Sequence, residues 1–141
     1  MKKIFVFAVA AVTVMSLSLT SCNKYEEGPG FTVRTAKARA AGDWKLTKYT
    51  VNGTDYTSTI GTITSTMDKD GTYTSTWTSG SLTDTDTGTW EFNSDKTTIT
   101  FLSSTSGSTA DTWTILELKS KEMKLRQIDG SFTTEQTMTA Q

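Results

Sequence analysis

The sequence predicts an all-β domain, an antiparallel up-and-down barrel of eight strands preceded by a short helical turn. Three observations predict it. After Gly42, short runs alternate polar and apolar residues with period two, as half-buried strands do and helices do not. Asn52-Gly53, Asp68-Lys69-Asp70-Gly71, Asn93-Ser94-Asp95-Lys96 and Asp129-Gly130 punctuate those runs with turn chemistry. Threonine makes up 31 of 141 residues and crowds the alternating runs; a β-branched, wettable side chain suits the outer face of a sheet.

The first segment is an address. Lys2 and Lys3 give a basic start, the stretch from Ile4 to Leu19 is apolar except for Thr13, Ser16 and Ser18, and Leu19-Thr20-Ser21-Cys22 follows. That is the pattern of a bacterial secretory signal ending in a lipobox. Leu19 and the small Ser21 suit a peptidase that cuts before Cys22, whose thiol carries a diacylglyceryl thioether. The apolar stretch is shorter than the roughly 20 residues that a membrane span needs. The expected organisation is a signal peptide at 1–21, a lipidated tether at 22–34 and a barrel domain at 35–141. Acyl chains on Cys22, palmitate among them, would anchor the protein in a membrane, since one chain binds marginally and two or more hold. Asn23, where Asp would retain the protein at the inner membrane, points to the outer membrane of a Gram-negative envelope. Glu26 and Glu27 leave its periplasmic and cell-surface sides both open. Gly28-Pro29-Gly30 keeps the tether irregular, and about 12 residues of random coil span roughly 20 Å.

Thr35 is placed to cap a helical run, Ala36 to Ala41, that Gly42 ends; this piece is expected to plug or flank one end of the sheet. The expected strands are Asp43 to Val51, Thr59 to Met67, Thr72 to Thr78, Thr87 to Asn93, Thr97 to Leu102, Asp111 to Lys119, Glu122 to Ile128 and Ser131 to Thr139. Polar loops are expected at Ser79 to Asp86 and Ser103 to Ala110. In the third strand Tyr73, Ser75 and Trp77 share one face and four threonines the other. Leu118 follows Ile115 by three residues, so a bulge near Leu116 or Glu117 is needed to aim it inward. Connections too short for a crossover helix exclude a parallel sheet. Closure removes exposed strand edges and favours a barrel; a Greek-key sandwich is the competing arrangement. The expected inward set is Trp44, Leu46, Ile63, Met67, Tyr73, Trp77, Trp90, Phe92, Ile99, Phe101, Trp113, Ile115, Leu118, Met123, Leu125, Phe132 and Met138.

Composition excludes several functions. With no His and one Cys, Ser-His-Asp and Cys-His catalysts, Cys/His zinc sites and His-ligated haem are impossible. Fourteen basic residues against 15 acidic lack the positive field that nucleic acid selects. Without residues 1–21, which carry Lys2 and Lys3, the balance becomes 12 basic against 15 acidic, or −3. Asp68-Lys69-Asp70-Gly71 holds a fragment of a calcium-loop pattern but lacks the later ligands and the closing Glu; it reads as a type I turn. Asp84 and Asp86, placed in a loop, read as solvated carboxylates, with weak capture of a divalent cation as the alternative. No metal, cofactor or enzymatic chemistry is expected.

Gly42-Asp43-Trp44-Lys45-Leu46, entering the first strand from a helical turn, looks like the Gly-x-Trp signature of lipocalins. Lys69-Asp70-Gly71-Thr72-Tyr73, Thr87-Gly88-Thr89-Trp90-Glu91-Phe92, Trp113-Thr114-Ile115-Leu116-Glu117-Leu118 and Met123-Lys124-Leu125 follow in order. Together they resemble the lipocalin-like domains of Gram-negative secreted lipoproteins, over roughly Ala38 to Gln127. The resemblance implies an eight-stranded barrel and a pocket for a small, mostly apolar ligand. The chain departs from the wider superfamily in having no Cys pair for a barrel disulfide and no long helix after the last strand. Thr54-Asp55-Tyr56 copies a lipocalin motif in the wrong place.

Trp77, Trp90 and Trp113, with Tyr73, Ser65, Ser75, Thr134 and Gln136 on the same faces, are the candidate ligand contacts, aromatic walls with a few polar groups at an open end. A barrel of this size is also readily filled by its own side chains, and a packed interior is the competing reading. The expected protein is a monomeric, membrane-anchored, non-enzymatic binder of a small apolar or amphipathic ligand. The alternative is a filled barrel that contacts a partner protein or glycan through the loops Ser79 to Asp86 and Ser103 to Ala110.

Overall fold

The computed structural model describes residues 34–141. The expected signal peptide, Cys22 and the tether up to residue 33 lie outside the described residues. Thr35 caps helix α1 (Ala36–Ala40): its hydroxyl oxygen accepts the Ala38 N–H at 3.1 Å, satisfying one of the donors a helix start leaves open. So short a helix has little stability alone. It is held because Ala36 and Ala40 are buried in the core and the Trp44 indole donates to the Ala40 carbonyl at 2.8 Å. Ala41 is the C-cap, one residue earlier than the sequence suggested. Gly42 then takes φ +147°, a conformation that favours a residue without Cβ, and leads straight into the sheet.

The strands are β1 (Gly42–Val51), β2 (Thr54–Asp55), β3 (Thr62–Met67), β4 (Thr72–Ser79), β5 (Leu82–Phe92), β6 (Thr98–Ser103), β7 (Asp111–Leu118), β8 (Glu122–Asp129) and β9 (Phe132–Ala140). Apart from β2, each pairs antiparallel with its neighbours in order, and β1 also pairs with β9 from Trp44 opposite Ala140 to Val51 opposite Thr134. The sheet is therefore a closed ring of eight strands, and the sandwich is excluded. The two-residue β2 stands outside the ring as a hairpin partner of β1. Asn52 (φ 50°) and Gly53 (φ 80°) supply the left-handed pair that such a turn requires.

The expected loop Ser79 to Asp86 is instead a tight turn at Gly80-Ser81 followed by the start of β5. Thr83, Thr85 and Thr87 stand opposite Thr78, Thr76 and Thr74 of β4, so threonine pairs hold the ladder where apolar residues are absent. The second barrel strand starts at Thr62 rather than Thr59, after a turn in which Ile60 N–H donates to the Tyr56 carbonyl. The bulge expected near Leu116 is present as a register shift between Ile115 and Glu117. Leu116 and Glu117 are both buried there, although neither was in the expected inward set. Burial alone would raise the Glu117 carboxyl; ion pairs with Lys119 and Lys124 outweigh it and hold the group below its ordinary range.

Trp44, Leu46, Met67, Trp90, Ile99, Leu118, Met123 and Leu125 pack the half of the barrel nearest α1, none more than 7% exposed. Phe132, expected inside, is 58% exposed. The ladder between β1 and β9 ends at Thr134, so Phe132 projects beyond the ring at the tip of the β8–β9 hairpin. Gly88, opposite Tyr73 on β4, marks a close approach: a Cβ there would lie 2.1 Å from the Leu102 carbonyl oxygen and 2.8 Å from the Tyr73 ring. Gly88→Ala should therefore destabilise the protein by about 1–3 kcal/mol through overpacking. Urea unfolding measures it, and an unchanged midpoint would show that the ring and the β6 backbone yield freely.

Candidate functional site

Away from α1 the interior changes character and a cavity of about 240 Å³ opens at the mouth. Met67 and Met138 form its buried floor, while Ile63, Tyr73, Phe101 and Trp113 wall it. Ser65, Ser75, Gln136, Asp86 and Asp111 supply its polar lining. The period-two pleat explains why these residues meet. Met67 faces Tyr73, Ser65 faces Ser75, Ser75 faces Asp86 and Phe101 faces Asp111 across successive strand pairs, so each stands on the inner side of its strand.

Tyr73 organises one wall. Its ring meets Phe101 edge to face, centroids 5.5 Å apart, and its hydroxyl donates to an Asp86 carboxylate oxygen at 2.5 Å. Ser103 donates its hydroxyl to the other Asp86 oxygen. These two hydrogen bonds, Ser103 first, hold the Asp86 carboxyl below its ordinary range. Burial, then the hydrogen bond and charge of Asp86, push the Tyr73 hydroxyl well above its ordinary value, and the Asp111 charge adds to this. Tyr73 thus remains a donor and Asp86 a charged acceptor. At the rim, Asp111 accepts the Trp113 indole N–H at 2.9 Å and, on its other oxygen, the Gln127 side-chain amide. The Ser65 and Ser75 hydroxyls lie 2.9 Å apart.

Of the candidate contacts, Tyr73, Ser75, Trp113 and Gln136, with Ser65, come together in this cavity. Trp90 and Trp77 do not line it. Trp90 is buried at the opposite end, where its indole donates to the Asp68 carbonyl at 3.1 Å and its ring meets Phe92 edge to face. Trp77 donates its indole N–H to the Ile60 carbonyl. Thr134 also stands outside the lining. Alternation reports which side of a strand a residue occupies but not its depth along the barrel, so three inward tryptophans look alike in the sequence and lie at different depths in the structure. Asp86 and Asp111 were the residues missed. Counting back by twos from Trp90 through Gly88 reaches Asp86, the signal that could have placed it inside.

Gly42 and Trp44, the expected structural motif, sit at the closed end, where Trp44 is 1% exposed. In the Asp68-Lys69-Asp70-Gly71 turn, Asp70 accepts the Thr72 N–H at 2.9 Å and the Thr72 hydroxyl at 2.7 Å, and Gly71 N–H donates to the Asp68 carbonyl. That carboxylate serves the turn itself. Among the described residues no three metal-ligating side chains converge.

A closed antiparallel ring, plugged by a helix at one end and opening at the other onto a lined cavity, is an architecture that can hold one small ligand. The chain belongs to the lipocalin-like domain family, whose model matches residues 41–125. The match runs from the C-cap of α1 to Leu125 in β8 and takes in the Gly42 and Trp44 signature. No curated protein matches the chain.

Because folding holds the Asp86 carboxyl below its unfolded value of about 3.9, its contribution to stability is complete above that pH and is lost as pH falls through the folded value. Asp86→Asn should cost about 1 kcal/mol at pH 7, and the gap from the parent should close below about pH 4. Urea midpoints across that range measure it; a gap independent of pH would remove Asp86 ionisation from the account.

Proposed function

We propose that the protein is a non-enzymatic binding protein, anchored to the outer membrane through acyl chains on Cys22, that holds a small amphipathic ligand in the mouth of its barrel. The cavity carries this reading: apolar floor, aromatic walls and a few convergent polar groups are what small-molecule sites combine. Its volume equals that of about eight waters, which suits a compact ligand rather than a long acyl chain. The helix plug fills the other end, so the ligand enters and leaves by the mouth. The barrel acts as a monomeric domain and needs no cofactor. The ligand contacts are Tyr73, Ser75, Trp113 and Gln136, joined by Ile63 and Phe101.

Trp113 makes the reading testable by fluorescence. Titration of the full chain with 2-phenylethanol should give a saturable change in tryptophan emission that persists in Trp90→Phe and disappears in Trp113→Phe. Absence of a saturable change with 2-phenylethanol, its amine analogue and its acid analogue would overturn the binding function. For the anchor, Cys22→Ala should abolish incorporation of labelled palmitate and release the protein from washed membranes. Retention of either property in the variant would overturn the lipidation.

A further inference from the structure

We propose that the ligand is an organic cation, a compact aromatic or aliphatic amine whose ammonium group sits between Asp86 and Asp111 while its apolar part lies on the aromatic walls. This rests on the binding function proposed above and names the ligand's chemistry. Two carboxylates line one small cavity, and among the described residues its lining includes no Lys or Arg. The donors that hold them are neutral: hydroxyls from Tyr73 and Ser103 on Asp86, indole and amide N–H groups on Asp111. Hydrogen bonds of this kind orient a carboxylate without cancelling its charge. Each carboxylate offers about four lone-pair positions, so acceptor capacity remains for a ligand.

Aromatic faces next to the carboxylates favour the same ligand. Tyr73, Phe101 and Trp113 wall the space, and a ring face attracts an organic cation, more strongly as water is excluded. An anionic amphipath such as a fatty acid would bring its charge against two of like sign, which disfavours it at close range. A calcium ion takes about six to eight oxygens and a magnesium ion about six, whereas apolar and aromatic side chains form most of this enclosure. Phe101, which stands opposite Asp111, and Ser103, which donates to Asp86, lie two residues apart on the same side of β6, so the two carboxylates flank one strand of the cavity wall.

The test compares 2-phenylethylamine, 2-phenylethanol and 3-phenylpropionate, three probes that share a phenylethyl group and differ in charge, by calorimetric titration of the full chain at low ionic strength. The amine should bind at least tenfold more tightly than the alcohol, and the acid most weakly. Asp111→Asn, at the exposed rim, and Asp86→Asn, which keeps an acceptor for one of Tyr73 and Ser103 and turns an amide N–H toward the other, should each lower amine affinity about tenfold and alcohol affinity much less. Circular dichroism of both variants verifies folding. Equal binding of amine and alcohol, preference for the acid, or an amine preference that survives both substitutions would overturn the proposal while leaving the binding function standing. Binding of none of the three would overturn both.

Discussion

Closure of β1 onto β9 is the constraint on which everything else depends. Once Trp44 stands opposite Ala140 and Val51 opposite Thr134, no strand of the ring has a free edge, and every residue is either inside or outside. A ring of eight strands leaves an interior that large side chains can just fill. At the α1 end they do fill it, with Trp44, Met67, Trp90, Ile99 and Met123 buried together. Toward the mouth the inward positions carry Ser65, Ser75, Asp86 and Gln136. Those side chains are smaller or polar, so the same ring that is solid at one end is hollow at the other.

The seal at the closed end follows from one short sequence motif. Gly42 allows the chain to turn from helix to strand without a gap, and two residues later Trp44 reaches back to the Ala40 carbonyl. That carbonyl belongs to a helix end, where acceptors lack intrahelical partners, so one indole both fills the barrel floor and satisfies a buried backbone group. The outer face is stabilised differently. Thr47 and Thr139 hydroxyls lie 3.0 Å apart across β1 and β9, and those of Thr100 and Thr112 2.9 Å apart across β6 and β7. Threonine thus contributes cross-strand contacts on a wet surface where leucine or valine would invite association.

The residues that the sequence made legible are those with apolar alternation. Strands β4, β8 and β9, the bulge after Ile115 and the helix capped by Thr35 all follow from spacing and turn chemistry. The start of β5 was hidden because Thr83 to Thr87 alternates threonine with aspartate, a period-two pattern without an apolar partner, which reads as a loop when hydrophobicity alone marks strands. Leu116 was hidden by its bulge, which breaks the parity that assigns sides. Five of the eight candidate contacts share the cavity. Trp90 and Trp77 separate from them because alternation leaves open how far along the barrel an indole reaches: Trp90 extends to the Asp68 carbonyl and Trp77 to the Ile60 carbonyl.

An inward-facing aspartate violates the pattern that builds the rest of the barrel, and the structure supports it at some cost. A leucine at 86 would continue the apolar column above Gly88 and Trp90 and would extend the core toward the mouth. Asp86 instead draws in Tyr73 and Ser103 as donors, and Gly88 gives up its side chain so that the Tyr73 ring can lie where it does. Three positions on three strands are thereby committed to keeping one charge in place. Local departures from the folding pattern concentrate where function competes with stability. Here the departure coincides with the cavity itself, so the mouth is hollow and polar because of specific, mutually dependent residues and not because the core ran out of apolar side chains.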